Sequence, residues 1–421
     1  MNPRRLARLV LWLAAAGWTA AAAQSTQEVY ERFKDRLLQV RIIDTDSNAR
    51  SVIGSGFYVD ENGHVVTNYH VVSRMILYPE QYRAEVVEAE GGQPAPARVL
   101  AVDVVNDLAV LATGRRGTPH LAVRAKPVHK GTRMYSLGNP HDLGMTIVEG
   151  TYNGYVDDSL HRRIHLTGSL NPGMSGGPTI DARGEVVGVN VATAGNQIGF
   201  LVPAAFVRRL TEALPAVPPA PEVLLERVRR QLLAHQARVT ARLLARPLAT
   251  KTLGPYRVPA AMVEGLDCWG DSTTEQELYY SETTYACSSK HRIYVGSGLR
   301  TGTVRYQHTY LKGRGIGSLH FYALFEQYFA SPEAPRGGRK DDVGRFHCET
   351  DFVDINGLRV KAALCLRRYR RLAGLFDAVL NTATLDRPAT GLQSVLALRG
   401  FSRDNIRRLA ARYLEGLGWK E

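Results

Sequence analysis

Cysteine is scarce and unevenly placed in this chain: four occur in 421 residues, and none precedes Cys268. No two of them form a close Cys-x-x-Cys pair, so a structural zinc site built on Cys268, Cys287, Cys348 or Cys365 with His291 or His347 is disfavoured. Long apolar runs are also missing. The one candidate, Leu9 to Ala23, has 15 residues, short of the ~20 that a membrane helix needs. Internal repeats and long low-complexity tracts are absent. There is no Arg/Lys-plus-aromatic motif of the kind that would point an exported chain towards nucleic acid. Composition is otherwise ordinary, at 44% hydrophobic and 22% charged, so large cores can be buried.

The apolar run itself has a processing signature. Arg4, Arg5 and Arg8 precede it and Ala21-Ala22-Ala23 closes it, which predicts a secretory signal over 1–23, removed near Ala23–Gln24. An uncleaved anchor is the alternative. Export puts the chain in a periplasmic or secreted setting, where an even number of cysteines implies disulfides. Asn356-Gly357 reads as a two-residue hairpin turn, and pairing across it sets Cys348 opposite Cys365, leaving Cys268 for Cys287.

Charge divides the chain as well. From Gln24 to Leu210 there are 19 basic and 19 acidic residues, whereas residues 211–421 carry 31 against 21, a surplus of ten. The second half could therefore face acidic partners or an anionic membrane surface, although a diffuse surplus is more often a solvated face.

From Val40 to Val202 the chain alternates short apolar runs with Gly, Asn and Pro, including Val40–Ile43, Gly56–Val59, Val65–Thr67, Ala109–Ala112, Arg133–Leu137, Thr146–Val148, Ile164–Leu166 and Val186–Val191. Many short strands at close spacing predict an all-β barrel or sandwich. A short amphipathic helix is expected over Gln27 to Leu38. Pro215, Pro218, Pro219 and Pro221 mark a stiff linker over 211–221. Leu224, Val228, Leu232, Val239 and Leu243 then recur at helical spacing within 222–250, as a helix packed on its own domain or as a self-association seam. The remainder, 251–421, reads as a disulfide-bearing α+β domain, rich in strands from Tyr256 to Leu385 and closed by a helix from Arg403 to Gly416 capped by Ser402.

The most informative stretch is Gly173-Met174-Ser175-Gly176-Gly177-Pro178. A serine between glycines on such a turn can expose its hydroxyl while neighbouring backbone N–H groups face the same substrate atom. Upstream lie Thr67-Asn68-Tyr69-His70-Val71-Val72 and Asn106-Asp107-Leu108-Ala109-Val110-Leu111. A serine hydroxyl is a weak nucleophile that needs a hydrogen-bonded base, itself oriented by a carboxylate. His70, Asp107 and Ser175 supply these types. His64, His141, His165 and Asp103 lie nearby without motif support.

With Gly54-Ser55-Gly56-Phe57, Leu137-Gly138-Asn139-Pro140 and Gly184-Glu185-Val186-Val187-Gly188-Val189-Asn190 added, residues 51–203 resemble the trypsin-like fold in its HtrA/Deg-type bacterial form. The resemblance implies a double β-barrel protease domain over 24–210, with Ser175 as nucleophile, His70 as base and Asp107 as its orienter. It also implies an oxyanion hole from the N–H groups of Gly173 and Ser175. By the same analogy Leu170, Val189, Asn190 and Val191 wall the substrate pocket, favouring small or medium apolar side chains. Polypeptides are the implied substrates, with no cofactor and no metal.

Two departures qualify the likeness. Met174 precedes the nucleophile where relatives often carry Asn or Asp. No PDZ module is evident after residue 210, since Gly416-Leu417-Gly418 stands at the chain end; a homo-oligomer is accordingly an open expectation. The rival functions are a catalytically silent relative that binds unfolded or partner proteins, and a structural or adhesive module.

Overall fold

The computed structural model describes residues 25–157, 161–260, 262, 265–273, 279–290, 292–330 and 337–420. The expected signal segment lies outside the described residues, as does His291. Helix α1 (Thr26–Phe33) opens the described chain, with a capping box in which Ser25 and Glu28 satisfy each other's backbone N–H. It is shorter than the reading to Leu38, because Leu37 and Leu38 are buried as the start of the first strand.

Two closed six-stranded antiparallel barrels follow. The first holds β1 (Leu37–Asp44), β2 (Arg50–Tyr58), β3 (His64–Thr67), β4 (Tyr82–Glu88), β5 (Ala95–Asp103) and β6 (Leu108–Ala112), in the order β1-β2-β3-β6-β5-β4. The second holds β7 (Arg133–Gly138), β8 (Thr146–Tyr155), β9 (Ile164–Thr167), β10 (Pro178–Ile180), β11 (Val186–Thr193) and β12 (Ile198–Pro203), in the order β10-β11-β12-β9-β8-β7. Each apolar run read from the sequence falls on one of these strands, Val59 alone lying just past the end of β2. Closure leaves neither barrel with an open edge.

Between β3 and β4 runs α2 (Tyr69–Leu77), whose β-branched Val71-Val72 pair locally favours strand over helix. Burial of Tyr69, Val71, Val72, Ile76 and Leu77 overrides that local preference. Helix α3 (Ala204–Thr211) ends the second barrel. After the proline-rich stretch, α4 (Pro221–Ala245) runs 25 residues with Pro at its first turn, where no N–H is required.

The second half is built on a seven-stranded antiparallel sheet. Its strands run in the order Leu266–Thr273, Tyr280–Ser289, Thr303–Gly313, Thr390–Phe401, Phe376–Thr384, Leu358–Arg368 and His347–Ile355. Register across the Asn356-Gly357 turn pairs Ile355 with Leu358 and Cys348 with Cys365, and Cys268 stands opposite Cys287 on the other outer pair. Both pairs are disulfide-bonded, which leaves no free cysteine for zinc. Helix α5 (Ser318–Ala330) interrupts the strand-rich region unexpectedly, while α6 (Arg403–Glu415) is capped by Ser402, whose hydroxyl accepts the Asn405 N–H.

The two halves share a core. Leu224, Val228 and Leu232 of α4 pack in one cluster with Ile293, Val295 and Leu299 of a hairpin (Ile293–Gly296 and Leu299–Thr301), with α2 and with Leu38, Val40 and Ile42 of β1. Farther along α4, Val239 and Leu243 belong instead to the core of the large sheet. The helical stripe is therefore consumed inside the chain, spanning both halves, and does not form the self-association seam that its spacing left open. Burying each such side chain contributes ~1.5–3 kcal/mol.

Candidate functional site

The serine loop folds as it does because two of its positions exclude any side chain. At Gly173 (φ +98°) a Cβ would lie 2.2 Å from the Asn139 carbonyl oxygen, and at Gly176 (φ +88°) one would lie 2.3 Å from the Ser55 carbonyl oxygen. Only glycine takes such backbone angles without strain. The carbonyls of the loop are bound behind it. Pro172 O accepts His141 N at 2.8 Å and Met174 O accepts Gly177 N at 3.1 Å. A trans peptide points its N–H opposite to its C=O. Those bonds therefore send the N–H groups of Gly173 and Ser175 away from the loop's anchors, and neither donates to an acceptor among the described residues.

His70 is the second residue of α2 and Asp107 closes the turn between β5 and β6. Asp107 holds a left-handed backbone (φ +64°), which aspartate tolerates better than most residues. Its carboxylate makes two contacts with one partner: Oδ1 accepts the His70 backbone N–H at 2.8 Å and Oδ2 lies 2.7 Å from His70 Nδ1. Asn68, at the N-cap of α2, leaves the helix uncapped and donates instead from Nδ2 to the Asp107 carbonyl at 2.8 Å. The imidazole is thus fixed through Nδ1, leaving Nε2 as its other nitrogen. Among the described residues no hydrogen bond joins His70 Nε2 to Ser175 Oγ; such bonds are often long in ligand-free sites and tighten around substrate.

Burial works against a charged His70, but the Asp107 charge and hydrogen bond outweigh it and raise the pKa above the ordinary histidine value. Arg300 opposes them from the second half. That arginine lies over the Tyr294 ring at 5.4 Å, and Tyr294 meets His70 edge-on with centroids 5.8 Å apart. Tyr69 OH donates to Val295 O at 3.0 Å, fastening the same hairpin to α2. The sequence gives no hint of this contact, since the two partners lie more than 200 residues apart.

Ser55, in sequence only one residue of a glycine-flanked block, joins the barrels at the site. Buried on β2, its Oγ donates to Gly173 O at 2.7 Å and accepts Asn139 N at 2.9 Å, while its N–H donates to Ser175 O at 2.8 Å. The other candidates fall elsewhere. His64 Nδ1 pairs with Asp60 at 2.6 Å, Asp103 accepts Asn106 N at 3.0 Å, and His165 lies beside Phe200. His141 contributes only its backbone.

Of the four expected pocket residues, Leu170, Val189 and Asn190 are buried. Val189 sits in the barrel core, and Asn190 donates from Nδ2 to Leu137 O at 3.0 Å, bracing the loop from behind. Both side chains are buried. Val191 is the one with partial exposure. Among the described residues no group of three His, Cys, Asp or Glu is placed to hold a metal.

The family model described as a trypsin-like peptidase domain matches residues 54–189. A probable periplasmic serine endoprotease, DegP-like, of Chlamydia muridarum is 31% identical over 175 residues, covering 39% of this chain and 34% of that protein. Protease Do-like 5, chloroplastic, of Arabidopsis thaliana is 30% identical over 166 residues, covering 36% of this chain and 51% of the relative. The chain thus spans between about a third and a half of the length of these curated relatives. Among solved structures, a serine endoprotease from Yersinia pestis is 24% identical, with a TM-score of 0.40, over 45% of this chain and 66% of that one. Residues 54–189, which hold most of the two barrels and the Gly-x-Ser-Gly-Gly turn, match a trypsin-like peptidase domain and are similar to DegP-like and Do-like proteases.

Proposed function

We propose that the chain is an exported serine endopeptidase of envelope protein processing or quality control, acting on polypeptides. In this reading residues 24–210 are the catalytic domain and 251–421 an accessory domain for substrate or partner recognition. Segment 211–221 and the helix within 222–250 join them. Ser175 attacks the scissile carbonyl, His70 Nε2 takes the hydroxyl proton and returns it to the leaving amine, and Asp107 holds the Nδ1–H tautomer. The N–H groups of Gly173 and Ser175 take up the oxyanion, and Val191 borders the position of the residue before the cut. Basic surplus in the second half offers a face to acidic partners or an anionic membrane surface, and a homo-oligomer is compatible with the reading. Among the described residues no helix is long and apolar enough to cross a membrane.

The observation that carries the proposal is the double contact of one carboxylate with His70, through its backbone N–H and through Nδ1, beside two unengaged N–H groups on the serine turn. A silent binding protein gains nothing from an imidazole so oriented. Labelling with a fluorophosphonate probe, with the modified residue then identified, should mark Ser175 and be lost in Ser175→Ala along with casein cleavage. Negligible cleavage by both proteins with binding of unfolded substrate retained would support the silent relative instead.

A further inference from the structure

On the far side of the Asp107 turn lies a second concavity, of about 440 Å³, formed jointly by the two halves. Asp103 lines it from the end of β5, Arg162 from the segment entering β9, Arg209 from α3, and Arg238 and Arg242 from α4. Four arginines thus converge from three separate stretches of chain upon one aspartate. Among the described residues none of these guanidiniums forms an ion pair, Arg162 and Arg209 lie over the rings of Tyr155 and Phe206, and Asp103 is already engaged with the Asn106 N–H and side-chain amide. Arg238 and Arg242 are also four apart on one helix, a spacing at which like charges repel.

The inner wall holds a buried histidine. His235 is buried there and stacks on His161 with centroids 4.9 Å apart. Burial, reinforced by Arg238 and Arg242, pushes its pKa down to about 4, so it stays neutral at pH 7. Four exposed arginines against one aspartate leave the basin a net of three positive charges, a local field that draws anions. Arginine forks match phosphate oxygens two at a time, and the volume suits a small ligand.

We propose that this basin is a binding site for a small soluble oxyanion of about three negative charges, of the diphosphate class, held between Arg162, Arg209, Arg238 and Arg242. The ligand would bridge α4 to the second barrel behind the turn that carries Asp107. Gln231 of α4 already grips that turn, accepting Val104 N at 2.9 Å and donating to Val102 O at 2.8 Å. The binding claim does not depend on the chain's being a protease.

Isothermal titration of the full chain with inorganic pyrophosphate tests it. Saturable one-to-one binding is expected, weakened at least tenfold in Arg238→Gln/Arg242→Gln. In the charge-matched control Arg98→Gln/Arg359→Gln, at two exposed arginines elsewhere, the change should stay under twofold. Equal weakening in both pairs would reduce the effect to net charge, and no weakening in the first pair would place the ligand elsewhere; either result overturns the site. Citrate binding as tightly as pyrophosphate would overturn the phosphate assignment. Sedimentation with phosphatidylglycerol vesicles that pyrophosphate displaces and the Arg238/Arg242 pair abolishes would overturn the soluble source.

Discussion

Removing one hydroxyl behind the serine turn should disturb the loop proposed to take up the oxyanion. In Ser55→Ala the backbone bond from residue 55 to Ser175 O survives, but Oγ no longer binds Gly173 O or Asn139 N. Each neutral hydrogen bond is worth about 1 kcal/mol net, and leaving a buried N–H without a partner costs ~1–3 kcal/mol. Ser55 is 1% exposed, so water does not readily replace the hydroxyl. Together the losses come to about 2–3 kcal/mol, applied where the second barrel's two loops are tied to the first. If that energy holds the Gly173 and Ser175 N–H groups in place, kcat/KM should fall about 30- to 100-fold. Complete loss of one donor would cost ~10²–10³. KM for a peptide substrate should move little, and fluorophosphonate labelling of Ser175 should slow in parallel. A kcat/KM within threefold of wild type, with an unfolding midpoint clearly lowered, would show that Ser55 holds the barrels together without shaping the loop.

Other outcomes follow from the same geometry. Because His70 has a raised pKa, it keeps its proton to higher pH, and the acid limb of kcat/KM should lie above about 6.5. Arg300→Gln removes a charge that opposes protonation and should move that limb further upward; a shift to lower pH would refute the contact. His235 and His308 are depressed by burial to about 4 and about 3, so both fold neutral. Stability they contribute is complete above about pH 6.5 and is lost as pH falls towards those values, on the order of 3 kcal/mol for His235. Denaturant titrations at pH 7 and pH 5 should show the loss, and equal midpoints would contradict it. Replacing Cys268 and Cys287 by alanine opens a link across 19 residues, worth about 3 kcal/mol by loop entropy. Since the hairpin that follows Cys287 packs on α2, proteolysis should then expose the first barrel as well as the large sheet.

What was legible in the sequence is what local chemistry writes there. Glycines at 173 and 176 mark a turn that no side chain can enter. Asn356-Gly357 fixes a register that brings Cys348 to Cys365, and the stripe from Leu224 to Leu243 marks a helix. What was not legible is whatever two distant segments do for each other. Val71 and Val72 favour strand locally, yet they lie on a helix buried by a hairpin some 220 residues on. Tyr294 and Arg300 carry no motif, yet they are the groups of the second half that reach His70. They bear on how the molecule works: a domain on a flexible tether could be removed without touching His70, whereas here the second half sets a ring against that imidazole and a charge near it. Truncation after residue 221 should therefore impair hydrolysis as well as partner choice, by stripping α2 of the surface that buries Tyr69, Ile76 and Leu77. Full peptidase activity in a soluble, folded 24–221 fragment would show the second half to be an attachment and not a structural part of the catalytic site.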